Sequence, residues 1–118
     1  MIILIKRMVL NFRLCCLRLK GCDADSPNYL GPDLSCTRGL SSEHQPGHIS
    51  TGPGIHIERG VVLNAFGGEI RIGRDTFLGP YAVIYGHGGV EIGDACLISM
   101  HCRILSSNHA IPPVRNRH

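Results

Sequence analysis

At 118 residues, with 43% apolar and 18% charged residues, 15 glycines and no tryptophan, the chain has room for one small domain around a single core. That composition suits a turn-rich globular fold, poor in long helices, and argues against disorder. The net charge of +3 is unevenly placed: Lys6, Arg7, Arg13, Arg18 and Lys20 give the first twenty residues +5 with no acid, leaving −2 for the other 98, so the main body is a poor match for nucleic acid.

The first segment, MIILIKRMVLNFRLCCLRLK, begins like a secretory leader. Its recurring basic residues leave no apolar run long enough for a leader core or a membrane span. It predicts an amphipathic α-helix over residues 1–21. Lys6, Arg13 and Lys20 stack at seven-residue spacing, while Leu4, Met8, Phe12, Cys15 and Leu19 share another face. Such a helix either lies on an anionic membrane surface through residues 1–20 or caps the open end of the following fold and packs in an oligomer. The cap is the expectation adopted.

Cys15, Cys16, Cys22, Cys36, Cys96 and Cys102 show neither C-x-x-C nor paired Cys/His spacing, which gives no support to a zinc site or a redox motif. Reduced, largely buried thiols and a cytoplasmic address are expected, although an even count leaves a secreted disulfide framework open.

From Asn28 the chain divides into four aligned segments of 21, 21, 20 and 20 residues: NYLGPDLSCTRGLSSEHQPGH, ISTGPGIHIERGVVLNAFGGE, IRIGRDTFLGPYAVIYGHGG and VEIGDACLISMHCRILSSNH. Within them a large or apolar residue recurs every six positions, most clearly at Ile72, Leu78, Ile84 and again at Ile92, Ile98, Ile104. Ile57 and Leu63 stand before these, and Leu30 and Cys36 earlier still. Smaller residues such as Ile55, Val61, Thr76 and Ala82 follow four places after most of them, with Leu34, Leu40, Cys96 and Cys102 in the same role. That rhythm belongs to neither a helix nor an alternating strand. It describes one flat side of a three-sided coil. Three sides of six make 18 residues, and the extra two or three per coil all fall after the third side, in EHQPGH, NAFGGE and YGHGGV. Stacked coils therefore carry a ledge along one edge of the prism, which is the candidate working surface.

The stretch IRIGRDTFLGPYAVIYGHGGVEIGDACLISMHCRILSSNHAI resembles the central coils of the hexapeptide-repeat acyltransferases, in particular the sugar and polysaccharide O-acetyltransferases. The resemblance extends over about residues 28–111. It implies an all-β fold, a left-handed parallel β-helix of about four coils with the N-terminal amphipathic α-helix before it and an irregular tail over 112–118. It also implies acetyl-CoA as co-substrate, a sugar or polysaccharide acceptor, a homotrimer with the site between neighbours, and a cytoplasmic enzyme.

Counting five places past the third-side residue gives Gly47, Gly68 and Gly89, and then His109. Glycine at a tight corner is easily explained; an imidazole there breaks local consistency, which is where a functional group is expected. The resemblance puts the catalytic histidine at this spot, within Ser106-Ser107-Asn108-His109-Ala110, as the general base for attack of a sugar hydroxyl on the thioester. Asn108, Ser107, His87 and Tyr85 are the candidate substrate-binding residues, His87 lying on the same ledge one coil earlier. This chain has Gly79 where the maltose/galactoside type carries an acceptor-binding asparagine, so that element of recognition is absent.

No metal site is expected. The γ-class carbonic anhydrases, which share the resembled fold, pair zinc-binding histidines five apart, and no two histidines here have that spacing. His56, His101 and His118 do not repeat and carry no assigned role. In resembling enzymes further coils follow the catalytic histidine, whereas Ile111-Pro112-Pro113 ends regular structure here. The sequence thus reads as truncated, with weak acetyl-CoA binding and little turnover expected. The alternative to the enzyme is a catalytically inactive β-helix scaffold or oligomer subunit.

Overall fold

The computed structural model describes residues 2–106. Helix α1 spans Ile2–Leu19. Its sequence contains neither proline nor glycine, and it stops at Gly21, whose φ of +85° is the left-handed cap position that glycine occupies without strain. Capping bonds run from Lys20 N–H to the Cys16 carbonyl and from Gly21 N–H to the Arg18 carbonyl.

Twelve short strands follow: β1 (Cys22–Ala24), β2 (Tyr29–Leu30), β3 (Ser35–Thr37), β4 (His48–Thr51), β5 (His56–Ile57), β6 (Val62–Asn64), β7 (Glu69–Ile72), β8 (Phe77–Leu78), β9 (Val83–Gly86), β10 (Val90–Ile92), β11 (Leu97–Ile98) and β12 (Arg103–Ser106). They form three four-stranded parallel sheets, ordered β1-β4-β7-β10, β2-β5-β8-β11 and β3-β6-β9-β12. The chain visits each sheet in turn, so strands three places apart along the chain pair with one another. This arrangement fits a parallel β-helix.

The register explains why the six-step rhythm matters. Leu30, Ile57, Leu78 and Ile98 are successive partners in the second sheet, and Cys36, Leu63, Ile84 and Ile104 in the third. Ile57, Leu63, Leu78 and Ile84 are at most 1% exposed. Full burial of such a side chain is worth roughly 1.5–3 kcal/mol, so the inward column is the principal stabilising element. Ile55, Val61, Thr76 and Ala82 fill the space beside it and are fully enclosed. The Thr76 hydroxyl stays satisfied there, donating to the Gly93 carbonyl at 3.0 Å and accepting from Cys96 N–H at 3.3 Å.

Two of the three corners repeat one backbone conformation. Gly54, Asp75 and Ala95 hold positive φ between the first and second sheets. Asp33, Gly60, Tyr81 and His101 do so between the second and third. The third corner has no such regularity. It takes residues 38–47 between β3 and β4, 65–68 between β6 and β7, and only 87–89 between β9 and β10. The extra residues therefore gather on one edge, as the repeat requires.

Two expectations need correction. The sheets begin at Cys22, ahead of the first aligned segment at Asn28: Cys22 pairs with Ile49 and Leu30 with Ile57, so Leu30 stands on the second side of its round. The first strand triplet is thus offset by 27 residues from the next, and Leu40, aligned as an inward residue, lies in the intervening turn at 64% exposure. The second correction concerns α1. Its packed face is Leu10, Leu14 and Leu17, of which Leu17 is buried, while Leu4, Met8, Phe12, Cys15 and Leu19 are exposed. Arg13 Nη1 donates to the Leu30 carbonyl at 2.7 Å and Arg18 Nη2 to the Ala24 carbonyl at 3.2 Å. These contacts set the helix across the end of the prism formed by β1 and β2.

Candidate functional site

The irregular third corner holds an open groove of about 830 Å³ whose lining includes Leu40, Ser42, Glu43, Phe66, Glu69 and His87. One wall is the turn between β3 and β4. There Leu40 bridges to Pro46 in antiparallel fashion, and the Ser41 hydroxyl accepts from the N–H groups of Glu43 and Gln45. The ten-residue turn thus folds on itself instead of trailing from the body.

The floor is aromatic. Phe66 sits at φ +47°, its N–H bonded to Asn64 Oδ1 at 2.9 Å. That left-handed turn brings the Phe66 ring flat onto the His87 imidazole, with centroids 4.0 Å apart and planes 8° from parallel. Tyr85 meets Phe66 edge-on at 5.0 Å and His87 edge-on at 6.5 Å. The two described substrate-binding candidates, His87 and Tyr85, therefore belong to one half-buried cluster joined by Phe66, and Glu69, whose carboxylate accepts from Arg71 at 3.4 Å, lines the same groove. Such a surface offers an apolar plate beside hydrogen-bond acceptors, the combination that suits a small polyhydroxylated molecule.

Ser106 of β12 is fastened to the turn beside this cluster. Gly88 N–H donates to Ser106 Oγ at 3.1 Å, and Ser106 Oγ donates to the Gly89 carbonyl at 2.9 Å. One hydroxyl thus ties the end of β12 to the turn that carries His87. His109, Asn108 and Ser107 lie outside the described residues.

The glycines aligned with His109 serve different purposes. A Cβ on Gly68 would meet the Gly86 carbonyl oxygen at 2.0 Å, and one on Gly47 the Arg38 oxygen at 2.2 Å, so both are glycine because another backbone passes close by. Gly89 has nothing within 4 Å of such an atom but holds φ +92°, a backbone conformation only glycine adopts cheaply. Gly79, compared in the sequence with an acceptor-binding asparagine, lies between β8 and β9, a different corner from the groove.

His56 and His101 do have structural roles that the sequence reading missed. His56 is stacked between Tyr29 and Phe77, at 4.7 and 4.8 Å, and its Nε2 pairs with Glu58 Oε2. His101 stacks on Tyr81 at 5.5 Å. Tyr29, His56 and Phe77 each precede a residue of one inward column, so the signal was present. The longer turn over 38–47 hides it, because a fixed period puts the first segment one side out of step with the next.

Among the described residues no three His, Cys, Asp or Glu side chains are grouped to hold a metal ion. All six cysteines are free. Cys22 and Cys36 are buried in the first strand triplet, and Cys15 is exposed. A hydrogen bond with the Cys36 side chain, followed by burial, pushes the Cys22 thiol far above its ordinary value.

No protein-family model, curated protein or solved structure matches the chain.

Proposed function

We propose that the protein is an acetyl-CoA-dependent acyltransferase built as a left-handed parallel β-helix of about four coils, transferring an acetyl group to a carbohydrate hydroxyl with His109 as general base. The observation that carries this reading is the Ser106 tie. It holds the chain against the rim of the aromatic groove three residues before the one position where the corner glycine becomes histidine. Counting on at the 20-residue offset of β9 and β12 makes Ser107 the counterpart of His87 and His109 that of Gly89.

The chemistry needs little else. A sugar lying on the Phe66–His87 plate, with hydroxyls directed at the Glu69 carboxylate, is held for direct transfer, and proximity makes a protein nucleophile unnecessary. The imidazole takes the hydroxyl proton as the oxygen attacks the thioester carbonyl. The tetrahedral intermediate then collapses with cleavage of the C–S bond, and the CoA sulfur leaves with a proton. Backbone N–H groups are the natural donors to the transient oxyanion. A homotrimer with the groove shared between neighbours and a cytoplasmic setting go with this reading, both by resemblance.

The test is release of CoA thiol from acetyl-CoA with a panel of sugars and nucleotide sugars, comparing the wild-type chain with His109→Ala. A general base contributes about 10²–10⁴-fold, and a loss of that order is expected. Acceptor-dependent release that proceeds at equal rates in the two proteins would remove the proposal.

A further inference from the structure

Helix α1 turns its most apolar arc away from the body. At about 100° per residue, Leu10, Leu14 and Leu17 define the packed side, and Leu4, Ile5, Met8, Phe12, Cys15 and Leu19 fall on the opposite one. No charged residue lies among the latter. Leu4, Ile5, Met8, Phe12 and Leu19 are between 53% and 81% exposed. The usual surface helix buries its apolar stripe and shows its charges; this one is apolar on the outside as well.

The charges lie between that arc and the packed side. Lys20 and Arg13 flank it on one side and Arg18 and Arg7 on the other, Lys6 stands beside the packed Leu17, and residues 2–20 contain no acid. Arg13 and Arg18 are bonded to body carbonyls and Lys6 faces the cleft between α1 and Tyr29, which leaves the exposed Arg7 and Lys20, one on each side of the arc, as the cations to meet a partner. A second copy of the helix would bring the same cations to the seam with no carboxylate to receive them. An anionic bilayer supplies both halves of what is needed, acyl chains for the arc and phosphates for its borders, where long basic side chains reach the headgroups. No helix among the described residues is long and apolar enough to cross a membrane, so contact is in the plane of the surface.

We infer that α1 docks the protein onto an anionic lipid surface, with Leu4, Ile5, Met8, Phe12 and Leu19 entering the acyl boundary and Arg7 and Lys20 pairing with lipid phosphates. The cap on the prism and the membrane contact are then two sides of one helix. This docking is independent of the reaction proposed above.

The chain lacks tryptophan, so Phe12→Trp places a single reporter at the centre of the exposed arc. The full chain carrying it is mixed with vesicles of phosphatidylcholine alone, or with about 30% phosphatidylglycerol added. A blue shift in emission and co-flotation are expected with the anionic vesicles, both weakened by about 0.5 M salt. Adding Leu4→Glu and Met8→Glu lowers partitioning at least about tenfold, with thermal melting unchanged because neither side chain packs on the body. Equal binding to neutral vesicles, no binding to either, or a blue shift in buffer that grows with protein concentration and so reports self-association would each overturn the inference.

Discussion

Phe66 and His87, 21 residues apart in sequence, lie ring on ring with centroids 4.0 Å apart. Each occupies the third corner of its own round, so the stack is a ladder contact between consecutive turns of the chain. It also forms the floor of the groove. Replacing Phe66 removes the plate, and its φ of +47° makes the choice of replacement informative. Phe66→Ala keeps the left-handed strain without the stack, whereas Phe66→Gly relieves the strain. Urea unfolding should find the glycine variant more stable than the alanine variant by about 1 kcal/mol. Both should lose any acceptor binding detected by saturation-transfer NMR with the wild type.

The Ser106 hydroxyl makes two bonds to the turn holding His87. Ser106→Ala should cost about 1–2 kcal/mol. Hydrogen exchange at the Gly88 amide should accelerate, while exchange in β5 and β8 stays unchanged. An unaltered Gly88 rate would show that the turn holds itself.

Burial along the inward columns is uneven. Ile84 is fully enclosed, whereas Ile104, its partner in β12, is half-buried. Ile84→Ala should destabilise by about 2–5 kcal/mol, and Ile104→Ala by about half as much or less. Thr51 provides a test of opposite sign. It pairs with Ile72 in the first sheet, and among the described residues its buried hydroxyl has no hydrogen-bond partner. Thr51→Val, which keeps the shape and drops the hydroxyl, should raise the unfolding midpoint by about 1 kcal/mol equivalent.

Cys22 holds its thiol proton more tightly folded than unfolded, because of its hydrogen bond with Cys36 and its burial. The folded state thus keeps a proton that the unfolded chain loses near pH 8.5. Cys36 is lowered by the same hydrogen bond and contributes with the opposite sign nearer neutrality, but above about pH 8.5 the proton kept on Cys22 dominates and stability should fall by up to about 1.4 kcal/mol per pH unit. Cys22→Ala should flatten that alkaline slope. Thiol labelling of the native protein should modify exposed Cys15 first, with Cys22 and Cys36 reacting only on unfolding.

The sequence by itself determined the three-sheet parallel architecture. Ile57, Leu63, Leu78 and Ile84 must all point into one narrow interior, and an enclosed column admits only apolar residues at fixed steps, so the rhythm is a direct imprint of the fold. It also determined that the surplus residues collect at one corner and that His87 is the counterpart of Phe66. What only the tertiary structure decided lies where that imprint is weak. The longer turn over 38–47 hid the pairing of Cys22 with Ile49, because a fixed period cannot register an insertion, and with it went the stack of Tyr29 on His56. Helix α1 is apolar on more than one side, so periodicity alone could not choose its packed face. The shape of the prism's end made that choice, seating Leu10, Leu14 and Leu17 and leaving Leu4, Met8, Phe12 and Leu19 outside.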